Sequence, residues 1–365
     1  MLTRFKLLAA ALPALCLAAG IAGANSELAG DLPRKDGKAL EQLPGLETRY
    51  DSVTAEDGTR LRTITTRPEG AEGRLPGLYF VQWLSCSTIE LKPGAEDGWS
   101  GMQRGVLTGS GMVVRRTEKA GVGDSEGECA TLDYETELAH HRRAFAEFLE
   151  SPQVDPERVF IYGASMGGNM APLLAQGHDV AGVIIWGGGA KTWFERMLGF
   201  DRRALERGDT KPGEMHETMK RRAAFHTEYL VRGRDPADIA RTHPDLKGVW
   251  DNIIGTGEGS HYGRPIAFHH QAQAQNWPAA WDKIRAPVLV LYGEYDWFED
   301  EEAHALVADI VNRNAPGTAR LVVFDGMNHH FSVFPDARAA FREEGGKPKP
   351  EPVVREILEF LEAHK

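Results

Sequence analysis

Val159-Phe-Ile-Tyr-Gly163-Ala-Ser165-Met-Gly167-Gly168-Asn169 is the stretch that decides how this chain folds. Its first four residues are apolar and β-branched or aromatic, the composition of a strand buried on both faces of a parallel sheet. Gly-x-Ser-x-Gly follows at once, and Met170-Ala-Pro-Leu-Leu-Ala-Gln176 then reads as a helix. Strand, tight turn and helix together make a nucleophile elbow. Glycine at 163 and 167 lets strand and helix approach closely while the turn forces Ser165 into a strained backbone geometry. The serine hydroxyl is thereby lifted above the sheet edge. The next amide, Met166 N–H, falls at a helix N-terminus, where unpaired donors and the helix dipole favour a developing negative charge.

The approach Val154-Asp155-Pro156-Glu157-Arg158 completes a pattern that resembles the α/β-hydrolase-fold serine hydrolases. The resemblance runs from about Arg49 onward and is weakest between Ala190 and Gln275. It implies an α/β-hydrolase fold: a mostly parallel, doubly wound sheet carrying a helical cap insertion. It also implies a triad in the chain order Ser, acid, His, with the acid and histidine on loops after later strands. The apolar run 288–292 leads into Gly293-Glu294-Tyr295-Asp296, which matches the family's Gly-x-x-Asp acid loop. Asp296 is the implied orienting acid, with Glu294 as the second carboxylate of that loop. Without the resemblance, Asp296 would read as a helix N-cap ahead of residues 299–307. The next strand leads into Asp325-Gly326-Met327-Asn328-His329-His330-Phe331, and the family's base is third after the glycine, which is His329. His330 is the adjacent alternative. The implied oxyanion donors are the amides of Met166 and Leu84, with Trp83 as the alternative to Leu84. Gln82-Trp83 stand where many relatives carry His-Gly, and a backbone donor does not depend on that side chain.

The remaining pattern alternates strand and helix. Residues 47–54 and 60–67 flank Glu56-Asp57-Gly58 as an antiparallel hairpin. Strands are expected over 78–83, 113–115, 180–186, 288–292 and 320–324, and helices over Tyr134–Leu149, Glu301–Asn314 and 353–364. Alternation of this kind predicts right-handed crossovers on both faces of the sheet. Gly121-Val-Gly123-Asp124-Ser125-Glu-Gly127 fits neither dinucleotide nor phosphate-loop spacing and reads as a structural turn. Residues 190–275 interrupt the pattern where the family inserts its cap. Met215, Met219, Ala223 and Leu230 fall near one helical face there, and Trp193, Phe194, Met197, Leu198, Phe200, Phe225, Tyr229 and Trp250 supply apolar surface, some of it expected over Ser165, with the cap's own core the commoner fate of any one of them. His261, His269 and His270 lack a cysteine or a close carboxylate at ligand spacing, so no metal is expected.

Residues 1–24 read as an export signal: Arg4 and Lys6, an apolar run from Leu7 to Gly20, then Ala22-Gly23-Ala24. Pro13 interrupts the run, which is short for a membrane span, and Leu15 before Cys16 argues against a lipoprotein. Residues 25–46 read as an N-terminal arm and 47–365 as the hydrolase domain, with 190–275 inserted in it. The formal net charge is −11 over 365 residues, and loss of the two leader cations would leave −13. An acidic chain without a basic cluster is a poor partner for nucleic acid or an anionic membrane. Cys86 and Cys129 remain after the leader, and an oxidising compartment predicts a disulfide between them rather than two buried thiols. The expectation is therefore an exported enzyme, periplasmic or secreted, without cofactor and without stable membrane insertion. It would cleave a small-molecule ester through an acyl-enzyme. A peptidase or amidase acting on short peptides is the alternative, with Glu195 or Glu228 to hold a substrate amine. A binding protein on the same scaffold is disfavoured, because all three triad positions are filled.

Overall fold

The computed structural model describes residue 30, residues 32–35 and residues 39–365. The expected leader with Cys16, and the first part of the expected arm, lie outside the described residues. What is described of the arm lies on the domain: Leu32 and Leu43 are buried, and Glu41 meets Arg116 in a buried ion pair.

One sheet organises the molecule. Its strands are β1 (Leu46–Thr54), β2 (Arg60–Pro68), β3 (Leu75–Val81), β4 (Val113–Thr117), β5 (Val154–Ala164), β6 (Gly182–Trp186), β7 (Val288–Gly293) and β8 (Ala319–Phe324). They lie in the order β1-β2-β4-β3-β5-β6-β7-β8. β2 is antiparallel to both β1 and β4, and every later pairing is parallel. The helices are α1 (Gly98–Gly109), α2 (Tyr134–Leu149), α3 (Met166–Leu174), α4 (Trp193–Arg207), α5 (Pro212–His226), α6 (Pro236–Thr242), α7 (Ile266–Ala274), α8 (Trp277–Trp281), α9 (Glu301–Asn314), α10 (Ala337–Arg342) and α11 (Glu351–His364).

Alternate residues of each central strand face opposite layers. Val159 and Ile161 of β5 pack with α2, α3 and α9, whereas Phe160 and Tyr162 pack with α1 and α11. Both cores are apolar and the central strands are buried on both faces, as the unbroken apolar runs predict.

Two differences from the sequence expectation matter for the site. β3 begins at Leu75 and ends at Val81, two residues short of Trp83. The elbow helix crosses the strand end so closely that a Cβ on Gly167 would lie 2.1 Å from Val81 O. The chain must leave the sheet there, which frees residues 82–86 as a loop. The second difference is α1, a helix that its glycine content conceals. Side chains at Gly101, Gly105 and Gly109 would come within 2.7, 2.8 and 2.5 Å of Pro350, Val354 and Leu358 of the C-terminal segment. Glycine lowers helix propensity, but at these positions it lets two helices touch.

Residues 187–287 separate β6 from β7 and contain α4 to α8 with a small three-stranded sheet of residues 256–265. A capping box between Thr192 and Glu195 starts α4. Trp193, Met197, Phe225, Tyr229 and Leu230 are buried in the interior of this segment. So is Asp201, which accepts from Arg222 at 2.6 Å and contacts His226 at 2.8 Å. Among the described residues no helix is long and apolar enough to cross a membrane.

Candidate active site

Ser165 sits between β5 and α3 with φ 55° and ψ −120°, a left-handed conformation that a non-glycine residue adopts only under constraint. The constraint is close packing on both sides. A Cβ on Gly163 would lie 2.3 Å from Gly167 O, and Ser165 N–H donates to Trp186 O at 2.7 Å. Ser165 is 6% exposed, and its Oγ makes no hydrogen bond to any described residue.

His329 lies in the loop after β8. Its Nδ1 is 2.5 Å from Asp296 Oδ2, which leaves Nε2 for the cavity that Ser165 also lines. Three neutral contacts hold this loop. Trp186 Nε1 donates to His329 O at 3.0 Å. Asn328 Oδ1 accepts from the amides of His330 and Ser332 at 3.0 and 3.1 Å. Phe331, with φ 56°, stacks on Trp186 at 4.2 Å. Gly187 gives the imidazole its space: with φ +62°, its absent Cβ would lie 2.4 Å from His329 Cε1.

Asp296 is fully buried and uses both oxygens. Oδ2 takes the His329 contact, and Oδ1 accepts from Phe298 N–H at 2.8 Å and Glu299 N–H at 3.1 Å. The cap at the start of α9 belongs instead to Asp300. Burial alone would raise the Asp296 carboxyl. The positive charge that His329 can carry, with the hydrogen bonds from His329 and Glu299, outweighs it and holds the group below the usual carboxylate range. Glu294 is exposed and accepts from Gly326 N–H at 2.7 Å, away from the imidazole. His330 also borders the cavity but faces Glu343, with Nδ1 3.5 Å from its carboxylate.

The amides of Met166 and Leu84 donate to no described residue. Leu84 and Trp83 both line the cavity. Gln82 is buried, and neither polar atom of its side chain has a partner among the described residues. A disulfide joins Cys86 to Cys129. The Gly121–Gly127 turn seats Cys129, since a Cβ on Gly121 would lie 2.2 Å from Cys129 N.

The cavity holds about 750 Å³, walled by Trp83, Trp99, Phe200, Tyr262, Phe298 and Phe334 among others. Of the aromatic residues expected to cover Ser165 from the insertion, only Phe200 reaches it; the others named in the sequence pack elsewhere. Glu195 is spent on Thr192, and Glu228 pairs with Arg232 and Arg234. Trp99, Trp186, Gly187, Asn328 and Arg196, which borders the cavity and pairs with Glu299, carry no expectation from the sequence. A Trp-Gly-Gly-Gly run at 186–189 directly after an apolar strand was the available signal for two of them.

The sequence matches the model of the alpha/beta hydrolase family over residues 98–344. No curated protein matches it. Among solved structures, a hypothetical protein from Pseudomonas aeruginosa is similar at 15% identity and a TM-score of 0.51, covering 92% of this chain and 99% of that one. An esterase from Pyrococcus furiosus is similar at 12% identity and 0.52, with coverage of 92% and 99%. An acylaminoacyl peptidase from Pyrococcus horikoshii is similar at 15% identity and 0.52, covering 88% of this chain and 42% of that one. Identities this low relate folds and not substrates.

Proposed function

Because the chain belongs to the alpha/beta hydrolase family, we propose that it is an exported serine hydrolase that cleaves carboxylic esters through an acyl-enzyme. The contact between His329 Nδ1 and Asp296 Oδ2 carries this reading, because it turns Nε2 toward the cavity containing Ser165. Asp296 fixes the tautomer and stabilises the imidazolium that forms during the reaction. His329 Nε2 takes the proton of Ser165 Oγ as Oγ bonds to the ester carbonyl carbon. The carbonyl electrons move onto oxygen, which receives the N–H groups of Met166 and Leu84. Collapse of this intermediate breaks the bond to the alcohol oxygen, and the imidazolium returns its proton to the departing alcohol. Water then repeats the sequence on the acyl-enzyme and releases the carboxylic acid.

The cavity's own carboxylates support an ester over a peptide amine. Glu90 is held by Arg34 and the Tyr50 hydroxyl, Asp97 caps α1, and the exposed Glu343 faces His330. Glu195 and Glu228 are engaged elsewhere. The Cys86–Cys129 bond supports an oxidising compartment.

One panel tests the reading: aryl esters of increasing acyl length beside aminoacyl anilides, with a fluorophosphonate probe. Esters should turn over, and the probe should label Ser165. Ser165→Ala should lose about four to six orders of magnitude in kcat. His329→Ala should lose nearly as much, while His330→Ala keeps a substantial part. Labelling elsewhere, or hydrolysis of anilides alone, overturns it.

A further inference from the structure

The loop that follows β3 is gripped from behind by buried charge. Lys119, two residues past β4, places Nζ 2.5 Å from Trp83 O and 3.4 Å from Leu84 O. Arg264, from the small sheet inside the 187–287 segment, donates from Nη1 to Leu84 O at 2.9 Å and from Nη2 to Leu132 O at 3.0 Å. Glu137 of α2 joins the two cations. It hydrogen-bonds Arg264 through Oε2, and its Oε1 lies 3.2 Å from Lys119 Nζ, within ion-pair range but off the hydrogen-bond direction. The three side chains are 0–1% exposed. Two cations against one carboxylate leave this buried cluster with a formal excess of positive charge directly behind the loop.

What the cations hold is informative. A trans peptide is planar, with its C=O and N–H pointing in opposite directions. Trp83 O and Leu84 N–H belong to one such plane. Lys119 holds the oxygen from the interior, so the N–H is turned to the other side, where Leu84 lines the cavity. That amide donates to no described residue. If the plane flipped, the carbonyl would face the cavity and a buried ammonium would lose its acceptor, which is costly for a charged group.

We propose that Lys119, with Arg264, is a positioning residue that locks the Trp83–Leu84 peptide so that Leu84 N–H meets the oxyanion formed at Ser165. The inference rests on the proposed ester hydrolysis. It goes further by making the 187–287 segment, through Arg264, part of what orients the catalytic backbone. The positive cluster behind the plane also favours the negative charge in front of it, and the burial of the cluster keeps the two cations from direct solvation.

Lys119→Met removes the donor at similar length, and Lys119→Gln keeps an N–H. Arg264→Gln serves as an independent variant if Lys119→Met does not fold. In Lys119→Met, kcat should fall about 10- to 100-fold with KM within about threefold, because an oxyanion donor acts on the transition state. Affinity for a boronic acid, whose tetrahedral adduct on serine presents an oxygen to the same donors, should fall in parallel. Lys119→Gln should recover part of both, and Arg264→Gln should show the same split with a smaller loss. A crystal structure of Lys119→Met should show the Trp83–Leu84 peptide rotated. Unchanged kcat in the folded variants, or a loss of kcat without loss of boronate affinity, overturns the lock. A wild-type protein that hydrolyses no ester overturns the underlying reading instead, so the two failures are distinguishable.

Discussion

The two loops that meet over Ser165 are held by opposite means. The histidine loop is fixed by neutral contacts: the Trp186 indole on His329 O, the Asn328 amide oxygen on two backbone amides, and Phe331 stacked on Trp186. The loop after β3 is fixed by buried ions and a covalent bond, through Lys119, Arg264, Glu137 and the Cys86–Cys129 disulfide. The difference follows from what each loop must present. In the proposed mechanism His329 works through a ring, which packing and one carboxylate can orient. Leu84 offers only a backbone N–H, so nothing on the side chain can be gripped. The plane has to be held by its other end, the carbonyl, and cations are the strongest donors for that purpose.

The histidine side should be the more brittle of the two, because its geometry depends on empty space. Gly187→Ala puts a methyl group 2.4 Å from His329 Cε1 and 2.8 Å from Nδ1, so the ring must leave Asp296. We expect kcat to fall about 100-fold or more with KM nearly constant, since a displacement of ~1 Å in a catalytic group is already expensive. Gly73→Ala is the matched control, with φ +70° and no atom within 4 Å of the added carbon. It carries the same backbone penalty, about 1–2 kcal/mol, and should leave kcat unchanged. Equal turnover in both variants would show that the space beside His329 does not matter.

These contrasts also explain what could be read from the sequence. The elbow, the acid loop and the histidine loop each occupy a few consecutive residues, so the proposed triad of Ser165, Asp296 and His329 stands out as three local patterns. The sheet is visible for the same reason, because buried parallel strands are short apolar runs. Helix α1 was hidden because Gly101, Gly105 and Gly109 serve a contact with α11 that lies far along the chain. The Lys119–Glu137–Arg264 cluster was hidden more deeply. Each residue looks like ordinary surface charge until the fold brings positions 119, 137 and 264 together. The aromatic residues of the insertion were legible as a group but not one by one. Most pack in the insertion's own interior, the commoner fate of such residues, and of those named only Phe200 joins Trp83, Trp99, Tyr262 and Phe298 on the cavity wall.

On the charged side, the disulfide and the cations share one task, so removing either alone should cost less than Gly187→Ala. Cys86→Ser/Cys129→Ser opens a link spanning 43 residues, for which chain entropy gives a stability loss of about 4 kcal/mol. Below the new unfolding midpoint, kcat should fall by less than about tenfold and more than KM rises, while Lys119 and Arg264 still hold the carbonyls. Adding Lys119→Met should lower kcat by more than the product of the separate effects, as expected for groups acting on one element. Simple multiplication in that double-mutant cycle would mean that the two devices work independently.

The smallest expected effect concerns pH and leaves turnover almost untouched. Glu118, next to Lys119, is buried beneath the 88–90 segment that borders the cavity. Its Oε1 accepts from Thr88 Oγ1 and from Ile89 N–H at 3.1 Å, and its Oε2 is buried without a partner among the described residues. Burial outweighs these hydrogen bonds and pushes the carboxyl up to about 7. A native pKa above the unfolded value means that the folded protein holds the extra proton. The stabilisation is complete below the unfolded carboxyl range and is lost as pH rises through about 7. Asp296, held below its ordinary value, has the opposite sign: its contribution is present above the unfolded carboxyl range and is lost as pH falls. The two loops therefore lose stability in opposite directions of pH. Burial, with Arg264 opposing Glu137, brings the neighbouring Lys119 down to about 8, and the Glu118 carboxylate partly offsets that fall. Glu118→Gln removes the titration. Urea midpoints at pH 5 and pH 7.5 should show the variant gaining on wild type as pH rises, by on the order of 2–3 kcal/mol. Its kcat at pH 7.5 should stay within about twofold, since Glu118 does not reach the cavity. Parallel stability curves for the two proteins would mean that Glu118 titrates as an ordinary carboxylate, and the claimed asymmetry between the loops would then rest on Asp296 alone.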